Sequence, residues 1–412
     1  MLDEYTHSQA QNWRSKDAAL HLVLAASAVS ISSVAGVGEL NPAVNIMELF
    51  NGHVLPEVLD TNVNARHIVK ADAIKLICLF RRHLGLDFML MILPHITRHL
   101  LSENVVVQTY ASICIERFLM VKDDGVPRIS KEHLSASLND IFSGLFFVLD
   151  NTDLPENDYV MKCIMRMLQL VGTDIGPVVP LVLEKLTASL VRVCKNPVNP
   201  QFNHYLFECL AVLVRSCCTV PNQEAVLAAS NQIETLLFPP FQIVLAQQVE
   251  EFIPYVFQVL ATMLHYRPGS VLSESYKGLF APILSAELWE RKGNVPALSE
   301  LLRTYITRSM SDIMASNQLT PILGIFQKLL SSKVCLRRTR SSFWLSLDIL
   351  TLYPLLGLRD VRVRPSGPVG SIQQSPCHGS VHSGDLQAHV QSNDGKQNPS
   401  GTLLAPLTQV TR

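Results

Sequence analysis

The sequence predicts an all-α fold in which short helices pair antiparallel and stack into an extended array. Three observations carry that reading. In Val249–Leu264, VEEFIPYVFQVLATML, Ile253, Phe257, Leu260 and Leu264 recur at the i, i+4, i+7, i+11 spacing of one helical face. Val256, Val259 and Met263 widen that face until the helix needs cover on two sides. Apolar-Pro pairs like that at Pro254 recur along the chain, and proline fits the first turn of a helix, where its missing N–H would have no partner. No run with strand periodicity competes, and connections such as Lys122–Gly125, Lys195–Pro200 and Arg291–Asn294 are short and polar, which makes successive helices antiparallel neighbours.

Taken in order, the periodic segments predict helices at Asp17–Ala35, Ala43–Leu59, Ile68–His83, Asp87–Leu101, Asn104–Met120, Ser130–Leu149, Glu156–Val171, Pro177–Cys194 and Pro200–Cys218. They continue at Glu224–Leu237, Phe241–Leu264 with a break, Leu272–Leu288, Val295–Arg308 and Leu319–Ser332. Asp153-Leu154-Pro155-Glu156 is an entry signal, with an acid to cap, an early proline and a following glutamate. The apolar-Pro starts at Pro56, Pro94, Pro180, Pro254 and Pro296 are spaced 38, 86, 74 and 42 residues apart. With the two long intervals taken as double steps, the unit is about 37 to 43 residues, close to HEAT and armadillo repeats. Pro282 and Pro321 fall between these steps, as first helices of their pairs.

The composition supports a large core and no strong field. Of 412 residues, 48% are hydrophobic, and 34 Lys and Arg against 35 Asp and Glu leave a net charge of −1. Nothing in that balance recruits nucleic acid or an anionic membrane, so any binding is local. The nine cysteines, without a CxxC pair, read as reduced buried thiols of a cytosolic or nuclear protein. Ala18–Gly38 carries no formal charge and follows Arg14 and Lys16, but His21 and several serines dilute it, so it reads as an amphipathic helix rather than a membrane span.

No motif rises to a catalytic, cofactor or metal site. Cys217-Cys218 point about 100° apart on a helix, which suits buried thiols better than a tetrahedral site. Cys377-His378 is an isolated pair, and Asn203-His204-Tyr205 lacks the acid or serine of a catalytic set, so packing or a partner contact explains it. Arg337-Arg338-Thr339-Arg340 reads as solvated charge. Lys162, Arg166, Lys185, Arg192 and Lys195 cluster in one repeat and could face an acidic partner. There is no Gly-rich phosphate loop, Ser/His/Asp order or paired carboxylate motif, which argues against an enzyme.

NDYVMKCIMRMLQL from Asn157, VPLVLEKLTASLVRVCKNPVNPQ from Val179, FNHYLFECL, EEFIPYVFQVL, LWERKGNVPALSELL and ILGIFQKLLSSK together resemble the importin-α exporters of the importin-β superfamily. NWRSKDAALHLV at Asn12–Val23 and VNARHIVKADAIKLICLFR at Val63–Arg81 resemble the same family in the same order. The resemblance implies a HEAT-repeat solenoid that binds importin-α and RanGTP in the nucleus, passes the nuclear pore and releases both in the cytoplasm, with no cofactor and no catalysis of its own. It covers residues 1–333 and places Met1 inside the family's array, beyond the N-terminal repeats that hold Ran. Residues 334–412 differ in composition, and the Gly, Ser, Pro and Gln density from about Arg359 onward predicts a disordered tail. A HEAT-repeat scaffold for other protein partners is the alternative that periodicity alone allows.

Overall fold

The computed structural model describes residues 5, 12–32, 34–269, 271–315 and 317–331, all within the unit Met1–Gly357. The predicted tail, Cys335, Cys377-His378 and Arg337–Arg340 lie outside the described residues.

The chain enters with α1 (Trp13–Ser27), followed by a hairpin of β1 (Ile31–Ser32) and β2 (Gly36–Val37) paired Ile31 to Val37. Helix α2 (Ile46–Leu49) runs through a π turn at Phe50–Val54 into α3 (Leu55–Leu59). Then come α4 (His67–Phe80), α5 (Leu86–His99) and α6 (Val105–Leu119), and a second hairpin of β3 (Lys122–Asp123) and β4 (Val126–Pro127). The next elements are α7 (Lys131–Leu134), α8 (Leu138–Asp150), α9 (Asp158–Val171), α10 (Val179–Lys195), α11 (Pro200–Cys218) and α12 (Gln223–Ala246). The described chain closes with α13 (Ile253–Tyr266), α14 (Glu274–Ile283), α15 (Ala286–Glu290), α16 (Val295–Ala315) and α17 (Leu319–Ser331).

Helices α1, α4, α6, α9, α11, α13 and α16 pack each on the next as one layer, and α3, α5, α8, α10 and α12 form a second layer behind them. Neighbours in the first layer pack on each other far more extensively than neighbours in the second. The first layer, the more closely packed of the two, is taken as the inner one. One continuous apolar core fills the space between the layers, from Leu20 through Phe118, Met161, Phe207 and Leu260 to Ile325. The result is an all-α HEAT-repeat solenoid.

Asparagine starts three successive inner helices. Asn104 Oδ1 accepts from the backbone N–H of Val106 and Val107, Asn157 Oδ1 from Tyr159 and Val160, and Asn199 Oδ1 from Phe202. These are N-caps, which satisfy amides that the first turn leaves unpaired. Two of the caps also reach back one repeat: Asn157 Nδ2 donates to Thr109 Oγ1 at 2.7 Å and Asn199 Nδ2 donates to the Glu156 carbonyl at 3.1 Å. One amide therefore starts a helix and ties it to its predecessor. Asn157→Asp keeps the capping oxygen and loses the tether, whereas Asn157→Ala loses both and should cost about 1–2 kcal/mol. Urea unfolding of the two variants checks this, and an Asp variant as weak as the Ala variant would show that the tether outweighs the cap.

The structure corrects several boundaries. The first helix stops at Ser27 instead of Ala35, because the serines of 27–33 divert the backbone: Ser30 Oγ accepts from the Glu39 N–H and Ser32 Oγ from the Ala35 N–H. Gly36 closes that hairpin at φ +80, pressed against Leu79, where a Cβ would come within 2.3 Å of the Leu79 carbonyl oxygen. The predicted helix Ser130–Leu149 is two helices, α7 and α8. Pro239 and Pro240 do not end α12, because Phe238, Pro240, Phe241 and Val244 are buried and packing holds the helix through two missing donors.

The proline intervals also mix layers. Pro56 and Pro180 begin second-layer helices, Pro94 lies inside α5, Pro282 lies near the end of α14, and Pro254 and Pro296 begin inner helices. Within the inner layer the step is longer and less even, 53 residues from Asn104 to Asn157 and 42 from Asn157 to Asn199. Among the described helices none is long and apolar enough to cross a membrane.

Candidate partner interface

The inner layer carries a chain of charge and aromatic contacts from α6 to α13. Glu116 on α6 is nearly buried, with Arg117 Nε at 3.2 Å, Lys162 Nζ at 3.6 Å and Arg166 Nε at 3.7 Å. Lys162 and Arg166 sit one turn apart on α9, so both reach the same carboxylate across the helix interface. The ammonium of Lys162 also stands 5.9 Å from the ring centre of Tyr205 on α11, within cation–π range. His204 lies 5.4 Å from the Tyr205 ring and 6.0 Å from that of Tyr255 on α13, and the Tyr255 hydroxyl and His204 Nδ1 are 3.5 Å apart. Tyr255 stacks in turn on Phe207 at 5.1 Å. Burial, with Glu251 and Glu208 nearby, raises the Tyr255 pKa, so its phenol stays protonated and able to donate.

These contacts place the residues singled out in the sequence. Asn203 is fully buried, while His204 and Tyr205 are half-buried on the inner layer beside α9 and α13. The five basic residues divide between layers. Lys162 and Arg166 belong to α9, whereas Lys185, Arg192 and Lys195 belong to α10 in the second layer. Lys185 pairs with Asp150 at 2.7 Å, and Arg192 Nη1 donates to the Leu149 carbonyl at 3.0 Å, in the last turn of α8. They do not form one basic face. Cys217 and Cys218 are buried, Cys218 Sγ lies 3.6 Å from Ser230 Oγ, and burial pushes the Cys217 thiol up to about 12, so both are packing thiols.

One group of residues escaped the sequence reading. Tyr5, Lys16, Glu57, Asp60, Arg66 and Lys70 form a hydrogen-bonded ionic network between α1, α3 and α4. Residues dispersed over 66 positions give no local signal of their meeting.

A stacked helical array of this kind, its two layers sharing one apolar core, defines a HEAT-repeat solenoid. Known families agree. The family model for CAS/CSE protein, C-terminus, matches residues 116–356, and that for Cse1 matches residues 1–115. This chain belongs to the CAS/CSE protein family. It is 37% identical over 336 residues to human exportin-2 (Homo sapiens), covering 81% of this chain and 34% of that protein. It is 36% identical over 356 residues to exportin-2 of Drosophila melanogaster, covering 86% of this chain and 36% of that protein. The solved structure of the exportin Cse1 in its cargo-free, cytoplasmic state superposes with a TM-score of 0.73 at 30% identity, over 87% of this chain and 36% of that one. The chain thus spans about a third of the length of the relatives it matches.

Proposed function

We propose that this chain works as part of a nuclear export receptor that carries importin-α from nucleus to cytoplasm together with RanGTP, shuttling through the nuclear pore. The observation that carries the reading is the match to the CAS/CSE family across residues 1–356, joined to the fold shared with exportin Cse1. A repeat array suits this work, since small rotations at each repeat interface add along the stack and couple sites that do not touch. The reading assigns no catalysis to the chain. Residues 1–333 are taken as the array and 334–412 as a divergent tail, with the family match running past that boundary to residue 356.

Immobilised chain incubated with importin-α and Ran tests the proposal. Retention of importin-α that rises with GTP-loaded Ran and not with GDP-loaded Ran is the expected result. No retention with either form of Ran would remove the export role from this chain and leave its architecture intact.

A further inference from the structure

Asp17 and His21 lie one turn apart on α1, and Asp72 faces them from α4. One carboxylate oxygen from each aspartate and one ring nitrogen of His21 all lie within 4.8 Å of one another. His21 Nδ1 stands 3.2 Å from Asp17 Oδ1 and 3.0 Å from the Asp17 carbonyl oxygen. The Asp17 and Asp72 carboxyl groups face each other, and Asp17 helps to raise the Asp72 pKa.

Two carboxylates this close do not both stay ionised without a positive species between them. Asp72 sharpens the point, because its Oδ2 is sealed from solvent and has no hydrogen-bond partner. Lys75, one turn further along α4, acts on Asp72 only through space, as does His21. A buried carboxylate oxygen without a donor thus stands on the residue that faces a second acid and an imidazole. Burial and the contact with Asp17 raise the Asp72 pKa to about 7, so a proton is the competing occupant.

We propose that Asp17, His21 and Asp72 form a three-donor site for a divalent first-row transition ion, which clips α1 to α4 at the start of the inner layer. One nitrogen and two oxygens suit Zn²⁺, Co²⁺ or Mn²⁺, whereas Ca²⁺ asks for six or more oxygens. Bonds of about 2.0–2.1 Å set donors roughly 3.3 Å apart, so the groups must close by an ångström or so. His21 is exposed and free to make that movement. Water completes the coordination shell.

The test uses the full chain, stripped with chelator and titrated with Co²⁺, beside His21→Ala and Asp72→Asn. Circular dichroism confirms that each variant is folded. The expected result is one saturable equivalent, a visible spectrum of nitrogen and oxygen ligation without a thiolate charge-transfer band, and a thermal midpoint raised by the metal. Either variant should weaken binding by more than about tenfold, since loss of a ligand costs at least what loss of its outer-shell support does. Absence of saturable binding overturns the proposal, as does a thiolate band or equal binding by both variants. A chain whose midpoint is indifferent to metal but rises in Asp72→Asn would assign the pair to a shared proton and overturn it as well.

Discussion

Glu57→Gln should destabilise the N-terminal end of the array by about 3–5 kcal/mol, the usual cost of breaking a buried ion pair from one side. Glu57 Oε1 accepts from the Tyr5 hydroxyl at 2.5 Å and from Lys16 Nζ at 2.6 Å, and Oε2 accepts from Arg66 Nε at 3.0 Å. The Lys16 side chain is only 4% exposed, so neutralising its partner leaves an ammonium with no access to water. Asp60 and the Glu57 carbonyl hold Lys70, itself fully buried, but neither reaches Lys16. Replacing the pair together, Lys16→Met with Glu57→Leu, should recover most of the loss, because the penalty belongs to the stranded charge rather than to the missing bond. Urea unfolding followed by tryptophan fluorescence and amide exchange in α1 and α4 measures both. A loss below about 1 kcal/mol in Glu57→Gln would mean that water reaches Lys16 and the network behaves as a surface pair.

Acid should reveal two groups in sequence. Burial lowers the His99 pKa from 6.5 to about 4, against the hydrogen bond from Nε2 to the Val58 carbonyl. The unfolded chain then takes up the proton first, so the share of stability that His99 carries falls as pH drops from 6.5 towards 4, by about 3 kcal/mol in all, against an opposite gain from Asp72, which takes up its proton first in the folded chain. Burial alone would raise the Glu57 carboxyl, but hydrogen bonds from Lys16, Tyr5 and Arg66 hold it below its ordinary 4.5. Its contribution is complete above pH 4.5 and is lost as pH falls through the lower folded value. His99→Gln should remove the first of these phases and leave the second.

The sequence displayed the helices because burial repeats along them, and it hid whatever depends on distant partners. Phe257 and Leu260 announce one face of α13 without help from any other residue. The caps Asn104, Asn157, Asn199 and Asn222 were equally local, and, though Asn222 starts a helix of the second layer, they mark helix starts better than the prolines do, since an N-cap has one place in a helix. Proline has several, which is how Pro94 inside α5 and Pro180 near the start of α10 came to be counted alike. Layer membership was not legible either. Lys162 and Lys185 are close in sequence, yet one meets Glu116 across the inner layer and the other meets Asp150 behind it. Asp17 and His21 carry the i, i+4 spacing of a half-site, but only the packing of α1 on α4 brings Asp72 to them.

Tyr276→Ala should cost about 3–5 kcal/mol, as loss of a buried aromatic ring does, and the damage should stay near its repeat. Tyr276 on α14 is fully buried where four helices converge. Its hydroxyl donates to the Leu260 carbonyl on α13 at 2.8 Å, and its own carbonyl accepts from the Tyr305 hydroxyl on α16, also at 2.8 Å. Its ring meets Phe238 of α12 edge-on at 5.0 Å and Tyr305 edge-on at 5.8 Å. Truncation therefore removes a ring from two interfaces and a donor from a third contact at once. Tyr276→Phe isolates the donor, and its cost should be near 1 kcal/mol, the net worth of one neutral hydrogen bond. Because each repeat of such an array touches only its neighbours, amide exchange should rise in α13 and α16 of the Ala variant while α4 and α6 keep their protection. Uniform loss of protection from α1 to α16 would show instead that the array unfolds as one cooperative body, and that the inner layer transmits a local defect along its whole length.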